Sequence, residues 1–497
     1  MMSMQITLLR HVAAGAAGIL AAFALFPHTT QAGDVEYVGQ GTRALGRGGA
    51  FAARADDPMA MAYNPAALAD LPDFQLMLNA NNAFYDACVT REGTYGDQVD
   101  PQINGTTDRF GDFITYRNQP FPRVCQHNRL NPGLWLAATM RPADNIGVGF
   151  GVLTPASAAH LIWGDGKGGT KKGTEPSPVR YQLVEQDIKL ILPTASIGVR
   201  AAPWLRLGLS LQWGIALIKN LNYTVLNGTE NPNEDTRSEL HVDDLFIPAA
   251  IFSLHVVPRD ALDIVFHGRI SDDIRATGEV EVRVGDFNRT PVATSKNDQV
   301  SLQAAQPSQF GLSLRYADRL RPREEGQRGD AMRDERWDLE LDAVYIVASQ
   351  FKAISVDIPT LPLVLEDGLR FDLPHEWKDQ ISLRLGGDFN AIPGVLAVRA
   401  GVHYESTALD GSYMGIDFQP AQRLGLHAGL TYRVGSTDLS LGYAHIFQET
   451  VTLPRNAAAY RQVADENPLV VNAGTYASSF DVVSFGVTHR FEGTRSH

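Results

Sequence analysis

Residues 205–217 read LRLGLSLQWGIAL. Every odd position is apolar (Leu205, Leu207, Leu209, Leu211, Trp213, Ile215, Leu217), and the even positions are small or polar (Arg206, Gly208, Ser210, Gln212, Gly214, Ala216). Strict period two makes a β-strand with one greasy face. A soluble strand is usually about 5–6 residues long. This stretch rises roughly 43 Å at about 3.3 Å per residue, and tilted near 45° it covers a hydrocarbon core of ~30 Å.

The pattern recurs along the chain. Phe74-Leu76-Leu78, Leu134-Leu136-Ala138-Met140, Ile146-Val148-Phe150-Val152, Leu262-Ile264-Phe266 and Phe310-Leu312-Leu314-Tyr316 each occupy one face. So do Trp337-Leu339-Leu341-Ala343-Tyr345, Ile381-Leu383-Leu385, Leu396-Val398-Ala400-Val402-Tyr404, Leu424-Leu426-Ala428-Leu430-Tyr432, Leu439-Leu441-Tyr443 and Val483-Phe485-Val487. Phe246-Ala250-Phe252-Leu254 adds another. In 180–201 the apolar phase changes at Pro193-Thr194, where a bulge is expected to restore the outward face. These segments predict fourteen strands, an even number.

The opposite faces carry Arg206, Arg269, Arg315, Asp338, Glu340, Asp342, Arg384, Asp388, Arg399, His403, Arg423 and His427 among many glycines. Lipid outside and a polar lumen inside account for both faces at once. Tight links such as 142–145, 201–204, 258–261, 390–393 and 434–436 alternate with long ones, as periplasmic turns and extracellular loops do. Residues 318–334 (DRLRPREEGQRGDAMRD) break the alternation, being long and charged where a short turn belongs. The fold class expected is an all-β, membrane-spanning, 14-stranded antiparallel barrel.

Three segments follow from the N-terminus. Arg10, an apolar run from Val12 to Phe26 and Thr30-Gln31-Ala32 read as an export signal over residues 1–32. Residues 33–72 are glycine-rich and hold two helix starts, Asp57-Pro58 and Asn64-Pro65. Too small to fold alone, this segment is expected to be a plug in the lumen, with the barrel over 73–497. The formal charge of −13 argues against nucleic acid as a partner. The two cysteines, Cys88 and Cys125, are expected to form a disulfide in an oxidising compartment. There is no GxSxG, HExxH or CxxC pattern, so neither an enzyme nor a cofactor nor a metal is expected.

Asn64-Pro65-Ala66 in an N-terminal plug before a long barrel resembles the long-chain fatty acid transporter family of the outer membrane, the FadL type. Leu192-Pro193-Thr194-Ala195-Ser196, Ser349-Gln350-Phe351, Trp377-Lys378-Asp379 and the aromatic Phe491 are similar in texture and order. The resemblance implies uptake of long-chain fatty acids or similar apolar molecules by passive, plug-gated diffusion. It implies lateral release near a kinked third strand, with Phe491 read by the barrel-assembly machinery, and surroundings of outer-membrane lipid and lipopolysaccharide.

Gly147, Gly149 and Gly151 on the inner face of strand three suit such a kink, or make room for the plug. Leu161, Ile162 and Trp163, with Leu361, Leu363 and Leu365, are apolar where outer loops should be polar, and are expected to capture substrate first. The alternatives are an aromatic-hydrocarbon transporter on the same scaffold, or a general porin, which would lack a plug. A carboxylate cargo would want an inward arginine, and the sequence offers many.

Overall fold

The computed structural model describes residues 37–72, 74–96, 116–155, 160–172, 175–225, 230, 235–284, 293–324, 327, 329–358, 369–462 and 469–491. The export signal over 1–32, the start of the plug segment at 33–36 and Leu361, Leu363 and Leu365 lie outside them.

The repeated strands pair in chain order. β1 (Phe74–Arg91), β2 (Pro132–Ala143), β3 (Ile146–Leu153), β4 (Glu185–Ala202), β5 (Leu205–Thr224) and β6 (Thr236–Arg259) form the first run. β7 (Leu262–Ser271, resuming at Ile274–Val284) and β8 (Ala293–Ala304, resuming at Gln309–Arg319) follow. β9 begins at Glu335–Ile346 and resumes at Ala353–Ile358, and β10 comprises Leu369–Pro374 and Gln380–Ile392. Then come β11 (Leu396–Glu405), β12 (Arg423–Val434), β13 (Thr437–Gln448) and β14 (Gly474–Phe491). Each pairs antiparallel with its neighbour, and β1 closes on β14 from Phe74↔Phe491 to Arg91↔Gly474. The result is a closed 14-stranded antiparallel barrel. Closure leaves no unpaired edge in the hydrocarbon, which is why a sheet can span it.

The period-two reading holds in β5. Leu207, Leu209, Leu211 and Trp213 are 41–58% exposed on the outer wall, while Arg206, Ser210 and Gln212 are buried inward. No helix among the described residues is long and apolar enough to cross a membrane.

Pro193-Thr194 departs from the expectation. The β4–β5 register runs through it unshifted, from Ile191↔Ile215 to Thr194↔Gln212. No bulge restores the outward face. Leu192 is buried, and Ile188 and Leu190 pack on the buried apolar side chains of the upper lumen. The bulge lies instead in β6, where Gly214↔Ile247 gives way to Ala216↔Asp244, placing Leu245 and Phe246 opposite Ile215. It turns the phase of β6, so that Val242 and Ile247 both point inward.

Cys88 and Cys125 sit opposite each other where a short strand, Arg123–Cys125, extends the wall beside β1, and they form a disulfide. Above the barrel, Arg180 pairs with Asp235 at 2.8 Å under the outer loops. Burial still holds that carboxyl above its usual range, against the pull of Arg180.

Candidate functional site

Residues 37–72 lie within the ring of strands, nearly all of them buried. Two short helices, α1 (Thr42–Gly46) and α2 (Ala60–Tyr63), and a 3₁₀ turn (Pro65–Asp70) give the segment its shape. Asp57 Oδ1 accepts from Met59 N at 2.8 Å, but the helix starts only at Ala60, with Met59 and not Asp57 at its N-cap. Asn64 makes no such cap. Its side chain donates instead to Ala52 O at 2.8 Å and approaches His255 Nδ1 at 3.4 Å, tying two arms of the segment to β6. Pro65 opens the 3₁₀ turn, and Ala66 N donates to Ser253 Oγ at 2.9 Å.

Inner-face glycines seat this body. A Cβ on Gly208 would lie 1.9 Å from Ala66 N, and one on Gly147 would lie 2.0 Å from Leu68 O. Of the three β3 glycines, Gly147 faces the 3₁₀ turn, Gly149 faces Met61, and Gly151 faces the backbone of Leu136 and Ala137. The β3–β4 ladder runs unbroken through all three, from Ile146↔Val199 to Leu153↔Leu192. Gly147 and Gly149 therefore make room for residues 61–69, Gly151 gives the room to the neighbouring strand, and no kink falls at the glycines themselves. Above them Leu153↔Leu192 is the last pair of this ladder among the described residues, and His160↔Asp187 is the next described pair with β4; 156–159 lie outside the described residues. Trp135 Nε1 donates to Thr154 O at 2.6 Å just past Leu153.

The lower lumen is ionic. Arg47 pairs with Asp338 at 3.0 Å, Glu340 at 3.1 Å and Asp388 at 2.6 Å, all fully buried. Arg54 pairs with Glu335 at 3.1 Å, and the backbone N–H groups of Ala53 and Arg54 donate to Glu340 at 2.6 and 3.0 Å. Alternation along β9 puts Asp338, Glu340 and Asp342 on one face, so a single strand supplies the acidic side of this lock.

The upper lumen is apolar. Ile218, Val242, Ile247, Ile274, Leu302, Val344 and Ile346 form its wall, and Phe351, Trp377 and Phe418 from the outer loops pack over it. Where the two halves meet lies a cavity of about 110 Å³, bounded on one side by Tyr37–Gln40 and Tyr63. Leu192, Ile251, Val344 and Ile346 supply an apolar floor, and Gln212, His267, Arg269, Gln380, Arg384 and Glu405 supply polar groups. Arg384 Nε donates to Ser382 Oγ at 3.1 Å, and among the described residues no carboxylate lies within ion-pair distance of its guanidinium. Glu405, on the adjoining β11 and opposite Ser382 in register, pairs with Arg423 at 3.7 Å.

The loop stretch 161–163 is placed differently from the expectation. Leu161 and Trp163 are 1% exposed and belong to the buried cluster that includes Leu68 and Met61. Only Ile162, on the short strand His160–Ile162, is half-buried on the other side. Pairing of that strand with β4 turns the two larger side chains inward, so they line the interior and are not an exposed capture surface. Sequence reasoning missed Ile188, Leu190 and Leu192 as lumen residues; their even-numbered phase, shared with Thr194 and Ser196, was the available signal.

An apolar outer wall, a lumen filled by the chain's own N-terminal segment and an apolar upper chamber define an outer-membrane-type barrel, unlike a water-filled porin. Residues 328–491, covering β9 to β14, match the family described as outer membrane protein transport protein (OMPP1/FadL/TodX). Over those residues the chain is similar to the FadL/TodX transport type, and its barrel is of the outer-membrane kind. A comparison with curated protein sequences finds no match.

Among solved structures, a Pseudomonas aeruginosa FadL homologue is similar in fold, with TM-score 0.67, 16% identity, and coverage of 94% of this chain and 100% of that one. The P. putida toluene transporter TodX gives TM-score 0.61 at 15% identity, covering 93% and 100%. The monoaromatic hydrocarbon channel CymD gives 0.60 at 12%, covering 92% and 98%.

Proposed function

We propose that the protein takes up long-chain fatty acids, or similar amphipathic apolar acids, by passive diffusion through a lumen that the segment 33–72 gates. The observation that carries this reading is the cavity in which an arginine without a carboxylate partner, Arg384, faces an apolar floor. An acyl chain laid along the upper wall gains roughly 25 cal/mol per Å² of apolar surface removed from water. Its carboxylate would meet Arg384, Gln212 and Gln380. A bare hydrocarbon would leave that cation with no carboxylate at ion-pair distance. The competing cargo, an aromatic hydrocarbon, draws support from the cargoes that the names of TodX and CymD state for those proteins.

Release sideways near strand three is part of the proposal. It is supported by the end of the described β3–β4 pairs at Leu153, beside the apolar Ile188 and Leu190 on β4. The working organisation is an export signal over 1–32, a plug over 33–72 and a barrel over 73–497, with lipopolysaccharide and lipid around it and the assembly machinery recognising Phe491.

The test is ligand binding in mild detergent. Oleate should bind the wild type and weaken roughly tenfold to a hundredfold in Arg384→Ala, the worth of a charge-assisted hydrogen bond of about 1.5–3 kcal/mol. Methyl oleate and toluene should bind both alike. Equal loss for acid and ester, or toluene bound and oleate ignored, would reject the acid reading in favour of the aromatic one.

A further inference from the structure

Between the end of β8 at Arg319 and the start of β9 at Glu335 lie the fifteen residues 320–334, where the other lower links are tight turns. Leu320 N and Arg321 N both donate to Asp334 O, at 2.7 and 3.2 Å, which closes the neck of this loop. Its described residues then reach four other lower turns. Arg323 N donates to Asp260 Oδ1 at 2.9 Å beside the β6–β7 turn, and Arg141 Nη1 donates to Gln327 Oε1 at 3.4 Å beside the β2–β3 turn. Gly394 N, in the β10–β11 turn, donates to Met332 O at 2.9 Å, and Asp330 pairs with Arg433 beside the β12–β13 turn. A segment that touches the rim at turns on opposite sides must lie across the opening. Ala331 and Met332, in the short helix α3 (Ala331–Asp334), are buried beneath it.

The loop is also wired to the body in the lumen. The Arg323 side chain is 3% exposed, and its Nη2 donates to Asp263 Oδ2 at 2.7 Å. Asp263 Oδ1 bonds His255 Nε2 at 2.8 Å, and His255 Nδ1 faces Asn64 Nδ2 at 3.4 Å. A second route runs from Asp263 through Arg315 (3.1 Å) and Asp338 (2.6 Å) to Arg47 (3.0 Å). Buried charges held this way tolerate few alternative arrangements, because displacing one partner leaves the other unpaired in a low dielectric.

We propose that the described residues 320–324, 327 and 329–334 form a periplasmic strap that closes the lower mouth of the barrel and is coupled to the plug through Asp263 and His255. The strap rests on the reading of residues 33–72 as a gate: strap and plug form one closure, and cargo that enters from above leaves through the wall while the strap is down. Arg323 is a positioning residue in this scheme and touches no cargo.

Two measurements on the intact protein test it, and neither uses an apolar cargo, so failure of oleate uptake would leave them unaffected. In hydrogen exchange, Arg323→Ala should speed exchange of amides 51–64 at least tenfold. Arg323→Lys should restore part of the protection, and Arg321→Ala, whose side chain is 64% exposed, should do nothing. Faster exchange confined to 320–334, with amides 51–64 unchanged, would overturn the coupling. In planar bilayers, replacing 322–329 by Gly-Gly should raise small-ion conductance at least threefold. A folded variant with unchanged conductance would overturn the closure, and if that variant does not fold, the exchange result on Arg323→Ala decides.

Discussion

Gly208→Ala isolates the seat of the plug from everything else. The added methyl would stand 1.9 Å from Ala66 N, 2.2 Å from Pro65 C and 2.6 Å from Ala66 Cα, all backbone atoms, where real Cβ contacts stay above 3.0 Å. No side chain can swing aside, so the 3₁₀ turn must withdraw by more than 1 Å. That withdrawal also strains the hydrogen bond from Ala66 N to Ser253 Oγ. Overpacking costs about 1–3 kcal/mol and the lost hydrogen bond about 1 kcal/mol, so docking weakens by about 2–4 kcal/mol, or roughly thirtyfold to several hundredfold.

The barrel itself should hold, since Gly208 pairs with Gly198 and Ser253 at positions where both registers run regularly. The assay is single-channel recording, with heat-modifiable gel migration as the check on folding. The variant should show frequent open events that the wild type lacks. Gly411→Ala, where a Cβ would have nothing within 4 Å, should behave as wild type. A closed channel in Gly208→Ala, together with unchanged protease protection of residues 51–64, would refute the argument that backbone contact at this glycine seats the plug.

Arg47→Ala strips the shared cation from Asp338, Glu340 and Asp388, which should cost about 3–5 kcal/mol; limited proteolysis within 37–72 should then outrun that of the wild type by more than tenfold. Thiol labelling of the unreduced protein should find neither Cys88 nor Cys125. Reducing the bond releases a loop whose closure is worth about 4 kcal/mol by chain entropy, and exchange should quicken at Arg123–Cys125 while the barrel stays intact. Leu190→Gln should weaken oleate binding roughly tenfold through lost apolar contact of about 1.5–3 kcal/mol, with little change in barrel melting, since Leu190 belongs to the lumen wall.

The barrel was legible because lipid imposes one rule on every strand. Each outward residue must be apolar, each backbone group must be paired, and both demands repeat at period two. Residues 205–217 carry that rule in one strand, and its recurrence along the chain is what separates a barrel from a long sandwich strand. The lumen obeys no single rule, so its reading failed where two answers share one pattern. At Pro193-Thr194 a change of apolar phase fits either a bulge or a switch in what the lumen contains, and periodicity cannot separate them. Leu161 and Trp163 look like an exposed greasy loop until the pairing of His160–Ile162 with β4 turns them inward. Arg384 is one inward arginine among many. Only the distances single it out, because Arg47, Arg54, Arg315 and Arg399 are each engaged by a carboxylate.

The change at Pro193-Thr194 also explains how one barrel can hold its plug and still admit apolar cargo. Below it, inward positions of β4 to β6 are Thr194, Ser196, Arg206, Ser210, Gln212 and Ser253, groups that hydrogen-bond or pair. Above it they are Ile188, Leu190, Leu192, Ala216, Ile218 and Val242, which offer an acyl chain surface without competing polar groups. A lumen polar throughout would bind the plug and repel the cargo, and one apolar throughout would leave the buried charges of Arg47 and Arg54 without partners. On the proposed reading, dividing the two chemistries by height lets the ionic lock keep the plug and strap in register while the upper wall gathers cargo. The cavity beside Arg384 sits at that division, where a molecule with one charged end and a long apolar end meets both kinds of surface at once.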